Sequence, residues 1–122
     1  MMTYDSFEVI ESKTHPGVRF VINRMSFGRR VGLMRLVREL APRLECFRAG
    51  AGKSDEVEAG LLSAEIDQLY LHWGLKKVEG LEIDGQPAGP DSLLQAGPEC
   101  LFLEALGHVK AACRLSESEA KN

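Results

Sequence analysis

The residue types best suited to chemistry are three histidines (His15, His72, His108), three cysteines (Cys46, Cys100, Cys113) and a Gly52-Lys53-Ser54 triplet. Gly-Lys-Ser holds nucleotide phosphates when it closes a G-x-x-x-x-G-K-[ST] loop between a buried strand and a helix, because successive backbone N–H groups must then wrap the phosphates. The first glycine of that pattern would stand at position 47, where the chain has Phe47, and the residues before it read as helix. The triplet is therefore read as a link between helices, with Lys53 solvated and Ser54 capping the helix that follows. Zinc would need ligands paired at C-x2-4-C or H-x3-5-H spacing, so that one short segment supplies two of them; no two of the cysteines and no two of the histidines are so spaced. A cysteine nucleophile with a histidine base would have to be assembled from distant parts of the chain. Cys100 and Cys113 fall on an apolar helical segment, where cysteine serves as a small buried hydrophobe, and His72 before Trp73 reads as a surface residue at a helix end. Glu82 and Asp84 share a strand face near Glu79, but paired catalytic carboxylates need a cleft that raises one pKa. A helix-rich chain of 122 residues leaves little room for one. No catalytic, metal-binding or cofactor-binding residue is assigned, and the expectation is a protein that is not an enzyme.

Seven arginines between positions 24 and 48 face only Glu39 and Glu45. Arginine forks suit phosphates and carboxylates, yet at 100° per residue these scatter around a helix, with Arg35 and Arg38 the best neighbours. No aromatic residues interleave with them, and a pI of about 5.6 is wrong for a nucleic-acid domain. Nucleic acid is not an expected partner. The net charge of −3 hides an asymmetry: residues 1–53 carry ten Lys/Arg against five Asp/Glu, and residues 54–122 carry five against thirteen. The halves attract each other, either in a tertiary contact or in self-association.

These residues need elements to position them. Apolar alternation in "SFEVIE" (6–11) and "GVRFVIN" (17–23) around Pro16-Gly17 predicts a β-hairpin, whose apolar face requires a helix or a further strand to cover it. Ser26 caps a helix from Phe27 toward Ala49, with Leu33, Leu36, Leu40, Leu44 and Phe47 at threes and fours. Pro42 interrupts it, and a kink is expected there. A second helix runs from Ser54 to about Trp73, with Asp55, Glu56 and Glu58 at the positive end of its dipole, and Gly74 ends it. Residues 78–90 read as a short strand or irregular hairpin around Asp84-Gly85. Pro90-Asp91 starts a short helical turn through Gln95, and Gly97-Pro98-Glu99 opens a last, mostly buried helix.

The expected fold is α+β and mostly α-helical, with the N-terminal β-hairpin packed on a small bundle of three main helices. One domain spans 1–114, followed by a polar, flexible tail over 115–122. The odd cysteine count fits reduced thiols. No apolar run reaches the ~20 residues that cross a bilayer, so the expected location is the cytoplasm, without a membrane partner.

Four stretches, "PGVRFVINRMSFGRRVGLMRLVREL" (16–40), "AEIDQLYLHWGLKKVEGLEIDGQPA" (64–88), "GPECLFLEAL" (97–106) and "LSESEAKN" (115–122), resemble the tail assembly chaperone-like proteins of tailed bacteriophages and prophages. The resemblance implies a binding role: coating the long, helical, aggregation-prone tape measure protein until tail tube protein polymerises around it. The tape measure protein and the tail tube protein are thus the implied partners, alongside a possible homo-oligomer. The alternatives are a structural tail or baseplate component, or a small helical adaptor. A helical partner would lie in an apolar groove with charged rims. Phe27, Val31 and Met34, with Tyr70 and Trp73, are the candidate groove residues, and Arg35 and Arg38 the rim. The competing reading has each of them completing the core.

Overall fold

The computed structural model describes residues 1–50 and 52–121, with side chains through Cys113. Its elements are β1 (Phe7–Glu11), β2 (Arg19–Asn23), α1 (Phe27–Val37), α2 (Leu40–Ala49), α3 (Lys53–Gly74), β3 (Leu75–Glu79), β4 (Glu82–Ile83), β5 (Gln86–Pro87), α4 (Pro90–Ala96) and α5 (Glu99–Lys121). The fold is α+β and mostly helical, with the N-terminal hairpin packed on helices. The chain divides into two compact units, residues 1–25 with 71–122, and residues 26–70. The flexible tail expected over 115–122 concerns side chains outside the described residues.

In the first unit β1 and β2 form the expected antiparallel hairpin, with Val9 opposite Val21 and Ile10 opposite Phe20. The cover its apolar face needs comes from both sources, α5 against β2 and a third strand, β3, in the order β1-β2-β3. This strand begins three residues before the segment expected to be extended. Val21 pairs with Lys77 and Ile22 with Leu75, so Lys76 is an inserted residue. The bulge puts Leu75 and Val78, three apart, both into the core, which breaks the period of two that marks a strand in sequence. Phe20, Ile22, Leu71, Leu93, Leu101 and Val109 are its largest fully buried aliphatic and aromatic side chains, together with Val21. The predicted Asp84-Gly85 turn links β4 to β5, with φ of 54° and 79° at its two central residues, as a tight hairpin turn requires.

Two glycines in this unit are set by close approach. Gly74 ends α3 and the chain passes into β3 without a linker; a Cβ there would collide with the side chain of Val109 on α5. Gly80 leaves β3 at φ +77°, and a Cβ there would strike the carbonyl oxygen of Gly17.

In the second unit Ser26 caps α1 as expected, its side chain accepting the Arg29 N–H at 3.3 Å. Pro42 does more than kink a continuous helix, and the hydrogen-bonded run is divided into α1 and α2 across Arg38 and Glu39. Arg38 stands four residues before Pro42, whose ring opposes the Arg38 carbonyl and which has no N–H to donate to it. Both junction residues keep right-handed helical angles (φ −58° and −87°), so the interruption is in bonding rather than in backbone direction. Leu33, Leu44 and Leu62 are the buried hydrophobic residues described here, one from each helix. Leu36, expected in the core stripe, is 46% exposed; it lies about 60° around the helix from Leu33, at the margin of the buried face. Ser54 is not a cap, because α3 starts one residue earlier, at Lys53.

Candidate protein-binding surface

The densest polar cluster joins the β1–β2 loop to α5. Ser12 Oγ donates to Glu104 Oε1 at 2.6 Å, the Lys13 N–H to Oε2 at 2.7 Å, and Thr14 Oγ1 to Oε1 at 3.1 Å. Ser12, buried, also accepts the N–H of His15 at 3.0 Å. Burial raises the Glu104 pKa, but the bonds from Ser12, Lys13 and Thr14 and the charge influence of His108 outweigh it, and the net direction is down. The Ser12 hydroxyl is committed to the carboxylate and sits inside the loop, so the cluster clasps the hairpin to α5 rather than presenting a nucleophile. Sequence reading saw a turn in "SKTHPG" and did not single out Glu104. Its partners lie about ninety residues away in the chain, and no local pattern signals them.

The remaining chemistry-bearing residues are dispersed. Of the Gly52-Lys53-Ser54 triplet, expected as a link between helices, Lys53 and Ser54 already belong to α3, and the element before it is helix α2 rather than the strand of a phosphate-binding loop. His72 Nδ1 lies 3.4 Å from Asp91 Oδ1 at the surface. The His108 ring tilts against Phe20 at 5.9 Å. Cys113 is buried as expected, but Cys100 is exposed, because it lies about 100° around α5 from Leu101, which faces the core. Glu79 pairs with Arg19 at 3.5 Å and lines an open depression with Gly80, Leu81 and Glu82. Among the described residues no three His, Cys, Asp or Glu side chains gather as metal ligands, and no described helix is long and apolar enough to cross a membrane.

Five of the seven partner-binding candidates do come together, on α1. Phe27 is 85% exposed and Met34 61%, with Val31 half-buried between them. At i, i+4 and i+7 these three form one ridge, within about 60° of arc. Arg35 and Arg38, both exposed, stand beside the ridge and at its C-terminal end. A single exposed hydrophobe is ordinary, whereas exposed hydrophobes aligned on one helix face and bordered by charge make a candidate surface for a partner. Tyr70 and Trp73, the other two candidates, lie on α3. They are half-buried, three residues apart on α3, and already engaged in interactions within the chain. Sequence reading missed a second exposed stripe, Val57 and Leu61 on α3 at 62% and 56% exposure; their spacing of four among acidic residues was the available signal.

No family model, no curated protein and no solved structure matches the chain.

Proposed function

We propose that this protein is a tail assembly chaperone of the phage or prophage type, whose α1 face holds the tape measure protein and keeps it soluble until the tail tube forms around it. The supporting observation is the apolar Phe27-Val31-Met34 ridge, exposed at Phe27 and Met34 and half-buried at Val31, with Arg35 and Arg38 beside it. A long amphipathic helix would bury this ridge under its own apolar stripe and set its acidic residues against the arginines. Holding a helix in this way requires no reactive group.

Co-expression with the long helical protein encoded beside this gene tests the reading. The partner is expected to stay soluble and to co-purify, and the Phe27→Ala/Met34→Ala double substitution to abolish co-purification. A partner that remains insoluble with nothing bound would overturn the proposal. Recovery of the protein from purified particles would instead favour a structural tail or baseplate component.

A further inference from the structure

The second helical unit carries two exposed apolar stripes of the same pitch and opposite charge. On α1 the stripe is Phe27, Val31 and Met34; on α3 it is Val57, Leu61 and Ala64, also at i, i+4 and i+7, with Ala64 exposed. Residues 27–38 hold four arginines and no acid, whereas residues 55–67 hold five acids and no base. Exposed Arg35 and Arg38 accompany the first stripe, and exposed Glu58 and Glu65 flank the second on one side. Since Phe27 and Met34 are exposed together with Val57 and Leu61, neither stripe covers the other within one chain. Arg35 and Arg38 on the first face, and Glu58 and Glu65 on the second, are exposed to solvent.

We propose that α1 of one copy docks on α3 of a second copy, ridge against ridge, so that the basic segment 27–38 of one faces the acidic segment 55–67 of the other. Matched pitch lets the two sets of three side chains interleave, and the charges fix the pairing of unlike faces while disfavouring α1 on α1 or α3 on α3. Helix-interior glycine is destabilising relative to alanine. A Cβ at Gly28 or Gly32 on α1, or at Gly60 on α3, would nonetheless meet nothing within 4 Å, so the chain's own packing does not call for them. Reciprocal use of both faces closes a two-fold pair. This inference stands apart from the proposed function and is tested on the protein alone. The two share the α1 ridge, so a helical client would compete with the second copy.

Sedimentation of the full chain across a concentration series, combined with a charge swap, is the test. The wild type is expected to sediment above its 13.5 kDa monomer mass. Arg35→Glu/Arg38→Glu and Glu58→Lys/Glu65→Lys should each weaken self-association by about tenfold or more. An equimolar mixture of the two variants should restore it, because every α1–α3 contact then pairs unlike charges again. Restoration also shows that both variants are folded. A wild type that stays monomeric throughout would overturn the inference. So would variants that associate as the wild type does, or a mixture that fails to recover.

Discussion

The two units use hydrophobic residues in opposite ways. The sheet-containing unit buries the central strand on both sides, with Phe20, Val21 and Ile22 all inside, and closes over them with Leu93, Leu101 and Val109. The helical unit buries one leucine per helix, Leu33, Leu44 and Leu62, while Phe27, Met34, Leu36, Val57 and Leu61 remain exposed. A fold that only needed to be stable would place these larger side chains inside, because burying each is worth about 1.5–3 kcal/mol. The contrast teaches that one unit closes over its core, fastened by the Glu104 clasp, while the other leaves large apolar side chains exposed on its helix faces.

The comparison is broken or sharpened first at Phe20, which has no exposed surface. Phe20→Ala should destabilise the protein by about 3–5 kcal/mol in urea unfolding. A loss under about 1 kcal/mol would show that the sheet unit is not the tightly packed one.

Smaller, and specific to the clasp, is the effect of Glu104→Gln. It should cost about 1–3 kcal/mol, the range for losing hydrogen bonds to a charged group. It should also remove part of the acid sensitivity. Because the folded-state pKa of Glu104 is lowered, its contribution is present in full above the ordinary glutamate range and fades as pH falls through the lowered folded value. Urea unfolding of the wild type and Glu104→Gln proteins at neutral pH and in acid should therefore converge toward low pH. A constant gap between them would show that the carboxylate charge is not what holds the loop.

Least of all should stability respond on α1. Phe27→Ala, at an 85% exposed position, should shift thermal unfolding by no more than about 0.5 kcal/mol, while removing client binding or self-association. Loss of stability comparable to Phe20→Ala would place Phe27 in a core and dissolve the distinction between the units.

Much of this arrangement was legible in the chain. The hairpin over 6–23, the cap at Ser26, the stop at Gly74, the turn at Asp84-Gly85 and the helix start at Pro90 each rest on a few neighbouring residues, whose backbone preferences act locally. The α1 ridge was legible for the same reason, since residues four and three apart share a helix face wherever the helix lies. Periodicity failed where tertiary contacts alter the repeat. The β3 strand was hidden by its bulge at Lys76, and the division before Pro42 depended on how the chain relieved the clash.

What the sequence determined by itself was therefore the identity of the elements and the residues sharing each face, because these follow from interactions within a turn or two of backbone. Only the tertiary structure decided which of those faces are covered. Burial depends on what packs opposite, and that is what made Leu33 a core residue, left Met34 and Leu61 exposed, and brought Glu104 to a loop about ninety residues away.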